Sequence, residues 1–109
     1  MAVLNVTDQT FTAETNNGIV LADFFATWCG PCKMIAPVLE ELDQDTGNQV
    51  KIVKIDVDQN QETANKFGIM SIPTLLVMKD GKVVDTLVGF NSKEALEEAL
   101  NKYLSLKKH

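Results

Sequence analysis

Arginine is absent. All ten basic residues of the 109 are lysine, and fifteen acidic residues outnumber them for a net charge of -5. Nucleic-acid binders present a basic face with arginine forks for phosphates and base edges. This chain has neither, and an anionic membrane surface is disfavoured on the same ground. Long apolar runs are also missing: none approaches the roughly 20 residues of a membrane span. The opening Met1-Ala2-Val3-Leu4-Asn5 lacks a cationic start, an extended apolar core and a small-residue cleavage site. The expected compartment is therefore the reducing cytosol, although a processed secreted chain would keep no trace of its leader. Histidine occurs once, at His109, and cysteine twice. Zinc and iron-sulfur sites take about four ligands, so a metal centre here would have to be a half-site shared between two copies.

What is present fits one globular domain spanning residues 1–109, with 45% hydrophobic and 23% charged residues and no repeat or low-complexity linker. A chain of this size buries roughly two thirds of the surface its unfolded form exposes and needs no covalent staple. Periodicity divides it into alternating elements. A short strand is expected at Val3 to Val6, and Thr7 or Asp8 can cap a helix through about Thr15. Ile19 to Phe25 is almost continuously apolar, as a strand covered on both faces should be. Pro31 to about Gln44 predicts a helix, with Ile35, Val38, Leu39 and Leu42 on one face and Pro37 bending it.

Val50 to Val57 predicts another covered strand, followed by a short helix stopped by Gly68. Thr74 to Met78 and Val83 to Val88 flank the turn signal Asp80-Gly81. Asn91 and Ser92 open a last helix, with Glu94 placed to complete a capping box on Asn91 and Leu96, Ala99, Leu100, Tyr103 and Leu104 as its buried stripe. The order β-α-β-α-β-α-β-β-α predicts an α/β fold: a mixed central five-stranded sheet flanked by four helices.

Cys29-Gly30-Pro31-Cys32 carries chemistry in its spacing. It closes a strand and opens a helix, so Cys29 is the flanking residue, Pro31 lies where its missing N–H costs nothing, and Cys32 stands a turn inside. Side chains three apart on a helix are neighbours, which makes a reversible disulfide geometrically cheap. The unpaired amides and helix dipole favour a thiolate at Cys29, whereas Cys32 is expected deeper and more shielded. Cys29 is thus the candidate nucleophile and Cys32 the resolving thiol. A purely structural disulfide closing so short a loop would constrain little of the unfolded chain.

Asp23 interrupts the covered strand six residues before Cys29. Buried without a partner, its carboxyl would be pushed up, by roughly 3 to 5 units at full burial, and could take the proton of Cys32. Exposed at a strand end, it would do nothing. Strand position alone leaves both readings open. Lys54, lodged in Ile52-Val53-Lys54-Ile55, either lies beside Asp23 or reaches out to water from a sheet edge. Asp56-Val57-Asp58-Gln59-Asn60 begins like a calcium loop, but Gln61 replaces the required glycine and Phe67 the final carboxylate. A solvated loop and helix start are expected there.

The run Asp23-Phe24-Phe25-Ala26-Thr27-Trp28-Cys29-Gly30-Pro31-Cys32-Lys33 resembles the active-site segment of the thioredoxin family. The resemblance continues through Pro37, Lys54, Ile72-Pro73-Thr74, Asp80-Gly81 and Val88-Gly89, and covers essentially the whole chain. Glutaredoxins, disulfide isomerases and periplasmic oxidases share the fold but carry other residues between their cysteines. One departure is Phe25, which stands where many members have a second tryptophan. The resemblance implies a protein disulfide reductase of the thioredoxin fold, with Asp23 in the proton-transfer role and Lys54 and Pro37 in support.

It also implies a cis Ile72-Pro73 bond facing the cysteines. Around them Trp28, Gly30, Pro31, Ile72, Pro73, Val88, Gly89 and Phe90 would form an apolar docking surface, although composition alone would bury Trp28 and Phe90 in a core. No bound cofactor is implied: NADPH acts indirectly, through a flavin-containing thioredoxin reductase. Implied clients are ribonucleotide reductase, methionine sulfoxide reductase and peroxiredoxin-type peroxidases, served by a cytoplasmic monomer. Two rival readings are a redox-independent binding subunit that uses the same surface, and an oxidase or isomerase of an oxidising compartment. Intact cysteines and Gly30-Pro31 speak against them.

Overall fold

Side chains of a strand alternate between the two faces of a sheet, and in strand β2 (Ile19–Phe25) each face meets its own core. The computed structural model describes residues 2–107, which leaves Met1, Lys108 and His109 outside it. Ile19 and Leu21 pack against Ile35, Leu39 and Leu42 of helix α2 (Gly30–Thr46) and Leu96 and Leu100 of helix α4 (Lys93–Lys107). Val20, Ala22 and Phe24 pack on the opposite side with Phe11 of helix α1 (Phe11–Thr15), and Phe67 joins them. The rings of Phe11, Phe24 and Phe67 meet at centroid distances of 5.4 to 6.1 Å. Two-sided burial is why this strand reads as a continuous apolar run.

The sheet runs β1-β3-β2-β4-β5, with β1 at Leu4–Asn5, β3 at Lys51–Asp56, β4 at Thr74–Lys79 and β5 at Lys82–Val88. The first three strands in this order are mutually parallel, and β4 and β5 are antiparallel to their neighbours. With α3 (Gln61–Lys66) this is the expected mixed sheet of five strands and four helices. The expected β1 shrinks to two residues, while α2 starts one residue earlier and runs two further, through Pro37, before the 3-10 turn Gly47–Gln49.

Two expected caps fall elsewhere. Thr7 to Thr10 form a turn of their own, with Phe11 N–H donating to Thr7 O at 2.9 Å. Asp8 reaches across to α3, accepting from the N–H of Thr63 at 2.9 Å and from its hydroxyl at 2.6 Å. The first amides of a helix need acceptors, and Asn60, which precedes α3, makes no side-chain cap. At α4 the capping box on Asn91 does not form. Ser92 Oγ accepts from Ala95 N–H at 3.1 Å, and Asn91 Nδ2 donates back to Gly89 O at 3.1 Å. The helix therefore starts one residue later, which carries Glu94 out of reach of its assigned role.

Ser92→Ala is expected to cost about 1 kcal/mol, the usual worth of an N-cap, while Glu94→Gln changes stability by less than about 0.5 kcal/mol, as at ordinary surface positions. Urea unfolding of both variants checks the assignment, which equal losses would contradict.

Candidate active site

β2 and β3 run side by side toward the same end of the sheet, and β2 delivers the chain to Cys29. Cys29 has extended backbone and serves as N-cap of α2. Its sulfur accepts from Cys32 N–H at 3.2 Å, and its carbonyl accepts from Lys33 N–H at 3.2 Å. Cys29 and Cys32 form a disulfide, with Cα atoms 5.2 Å apart. Both are 4% exposed. The expectation that Cys32 is the more shielded is thus not met, because Ala26, Phe25, Val57 and Ile72 pack over the pair together. What separates the two sulfurs is the amide directed at Cys29.

By the same alternation that assigns Ile19 and Leu21 to the face of α2, Asp23 lies on that face. It is fully buried, and neither carboxylate oxygen has a hydrogen-bond partner. Burial pushes its carboxyl from the ordinary 3.8 up to about 7, with the Lys54 ammonium opposing the rise. Lys54 stands opposite Asp23 in the β2–β3 register. Its strand lies between β1 and β2, so the edge reading is excluded. The ammonium sits over the Phe25 ring, 4.8 Å from its centroid. A cavity of about 210 Å³ has Cys32, Phe25, Ala36 and Lys54 in its wall.

The other expected residues come from three segments, 28–31, 72–73 and 88–90. Trp28 is 68% exposed, and Val88 and Phe90 are also exposed rather than core residues. The Ile72-Pro73 bond is cis, Ile72 packs against the cysteines, and Pro73 O accepts from Gly89 N–H at 2.8 Å. The two glycines have different reasons. Gly89 has φ +82, a conformation that itself favours glycine, whereas a Cβ on Gly30 would meet nothing within 4 Å. Pro31 occupies the first turn of α2, and Pro37 lies further along it, exposed.

A family profile described as Thioredoxin matches residues 2–102. The chain belongs to the thioredoxin family. Thioredoxin of Bacillus subtilis (strain 168) is 71% identical over 104 residues, covering 95% of this chain and 100% of that one. Thioredoxin of Listeria monocytogenes serovar 1/2a is 59% identical over 102 residues, covering 94% and 99%. Among solved structures, a mutant thioredoxin from Halobacterium salinarum NRC-1 superposes with a TM-score of 0.89 at 41% identity, covering 94% of this chain and 91% of that one. The chain is accordingly a thiol-disulfide oxidoreductase, a protein disulfide reductase with its Cys-Gly-Pro-Cys pair at bonding distance. Thioredoxins bind no cofactor of their own, and the family implies a reductase and disulfide-bearing clients in general. Among the described residues no group of three His, Cys, Asp or Glu side chains could hold a metal ion, and no helix is long and apolar enough to cross a membrane.

Sequence reasoning passed over two features. Asp58, assigned to a solvated loop, accepts from the Trp28 indole N–H at 2.8 Å. The parallel register of Phe25 with Asp56 sets both loops at one end of the sheet and could have revealed it. Met70 is 96% exposed beside the Ile72 loop, and no periodicity marks it.

Asp23 gives a pH signature. Its folded value of about 7 exceeds its ordinary 3.8. Between these limits the native state keeps a proton that the unfolded state has released, so stability falls as pH rises through that window and levels off above it. Asp23→Asn removes the slope. It is expected to match the parent near pH 4 and to exceed it by up to roughly 4 kcal/mol at pH 8. Urea unfolding across pH tests this, and a gap that does not vary with pH would contradict it.

Proposed function

We propose that the disulfide reductase chemistry runs through Cys29 as nucleophile, Cys32 as resolving thiol and Asp23 as the proton acceptor for Cys32. The observation that carries this reading is the Cys32 N–H donated to the Cys29 sulfur at the start of α2. A donor and a helix N-terminus directed at one sulfur favour its thiolate. In the reduced protein that thiolate attacks a client disulfide. A bond forms between Cys29 and one client sulfur, and the other client sulfur leaves as thiolate. Cys32, deprotonated by the Asp23 carboxylate directly or through one water, then attacks the Cys29 sulfur. The Cys29–Cys32 bond forms and the second client sulfur departs. Lys54 supports the step by opposing the rise in the Asp23 carboxyl's pKa.

Docking is assigned to Trp28, Gly30, Pro31, Ile72, Pro73 and Gly89, with Val88 and Phe90 beside them. Two features support it: large apolar side chains exposed around a covered disulfide, and a glycine at position 30 that nothing inside the chain requires. An apolar exposed patch of this kind marks an interaction site. The reading places the protein in the cytoplasm as a single-domain monomer. A flavin-containing, NADPH-dependent thioredoxin reductase regenerates it, and ribonucleotide reductase, methionine sulfoxide reductase and peroxiredoxin-type peroxidases are its clients.

Insulin disulfide reduction driven by NADPH and a thioredoxin reductase tests the assignment. Cys29→Ser is expected to abolish turnover, and Cys32→Ser to accumulate a mixed disulfide that mass spectrometry detects. Asp23→Asn should slow release of that mixed disulfide by about 100-fold, the lower end for loss of a positioned acid-base group, with the first attack unchanged. Release at the parent rate would remove Asp23 from the mechanism.

A further inference from the structure

The one tryptophan of the chain is held in place by a loop that is itself held from the far side. Trp28 donates its indole N–H to Asp58 Oδ2 at 2.8 Å. Asp58 N–H donates to Asp56 Oδ1 at 2.9 Å, and the carbonyl of Asp56 accepts from Asn60 Nδ2 at 3.1 Å. Asn60 Oδ1 accepts from the N–H of Asp8 at 2.9 Å, across a separation of 52 residues. Asp8 completes the clasp by accepting from both the N–H and the hydroxyl of Thr63 in the first turn of α3. Asn60 and Thr63 are buried, so the donors and acceptors they present cannot turn to water if the clasp opens. The Thr63 hydroxyl holds the Asp8 carboxyl below its ordinary range.

From this chain of contacts we infer that Asp8 is a positioning residue for client docking, acting through the 56–60 loop and Asp58 to fix the orientation of Trp28 beside Cys29. The inference rests on the docking role proposed for Trp28 and extends it to a residue in the turn before α1. An exposed indole with no second anchor would sample several rotamers, each of which a partner would have to immobilise again on binding. Held from behind, the ring meets a partner already oriented. The effect is expected on binding and not on the sulfur chemistry, since none of the clasp's hydrogen bonds is made to a cysteine and Val57, the loop residue that packs over the pair, has no part in them.

Three readouts separate this role from simple loss of stability. Because Trp28 is the only tryptophan, steady-state anisotropy reports its freedom directly. The KM and kcat of a thioredoxin reductase for each variant report docking against turnover, and the reaction with a small aromatic disulfide reports thiol chemistry without docking. Asp58→Ala is expected to lower the anisotropy and raise KM about fivefold, the equivalent of one net hydrogen bond, with the small-disulfide rate unchanged. Asp8→Ala should move anisotropy and KM in the same directions by about two- to threefold, a part of that same hydrogen-bond equivalent. Asp8→Asn keeps an acceptor for Thr63 and should restore both.

In the double variant Asp8→Ala/Asp58→Ala, the Asp8 change should add nothing to KM, because its path already ends at Asp58. Should Asp8→Ala not fold, Thr63→Val removes only the hydroxyl donor and is read in the same way. An Asp8→Ala variant with parental anisotropy and KM would overturn the inference, as would an Asp8 effect of equal size with and without Asp58. Trp28→Ala with unchanged KM would instead defeat the docking role itself, while the anisotropy changes would still establish the clasp.

Discussion

Cys29 lies where a strand buried on both faces hands over to a helix, and the amide of Cys32 closes on its sulfur. That junction depends on β2 being immovable. Its outer neighbours pair with it along nearly its whole length, and cores of aliphatic and aromatic side chains press on either face. Cores at native packing density do not deform continuously, so the helix start, with its orphan donors, stays fixed relative to the sheet. Preorganised donors stabilise charge without reorganising during the reaction. A thiolate at this position needs no bound cation and no movable loop.

The same rigidity makes Asp23 costly and useful at once. An unpartnered carboxyl inside a covered strand is among the less favourable residues a core can hold, and its raised pKa is the measure of that cost. Lys54 on the adjacent strand limits the cost without cancelling it. Its ammonium is shared with the Phe25 ring instead of closing an ion pair on Asp23, and a full ion pair would drive the carboxyl back toward its ordinary range. A group poised near neutrality can accept a proton and later return it. In the proposed mechanism, sequence features that look like local conflicts, a charge inside an apolar strand and a lysine inside another, are the ones that take a role.

Much of this was legible because period and spacing report burial. The two-sided strand Ile19–Phe25 showed as an uninterrupted apolar run, the hairpin as Asp80-Gly81, and the reactive pair as two cysteines a turn apart at a strand-to-helix junction. The polar side chains whose partners the sequence misplaces share one cause. Asp8 and Asn91 were assigned to the nearest helix start, whereas Asp8 caps a helix 55 residues away and Asn91 turns back to Gly89. Asp58 was set aside with a calcium pattern, although its partner Trp28 lies 30 residues distant. Short polar side chains hydrogen-bond whatever the tertiary fold brings near. Their partners are decided by register between strands, which a pattern along the chain does not contain.

The placement of the site at one end of the sheet follows from chain direction. β2 and β3 are parallel, so both release their following loops at the same edge, and in open α/β sheets ligands bind outside the carboxyl ends of such strands. The loop after β2 supplies Trp28 and the cysteines, and the loop after β3 supplies Asp58. The antiparallel β4 enters from that edge, which brings Ile72 and Pro73 to it, and β5 returns there with Gly89. At the opposite end Gly18 N–H donates to Asp80 Oδ1 at 2.8 Å and Asp80 N–H to Gly18 O at 3.0 Å. This ties the loop before β2 to the hairpin turn, away from the cysteines. One end of the sheet is thus tied shut by Gly18 and Asp80, and the other keeps its apolar side chains exposed near a covered disulfide. That asymmetry is what the proposed docking surface rests on: the disulfide, the exposed indole and Ile72 all belong to the open end.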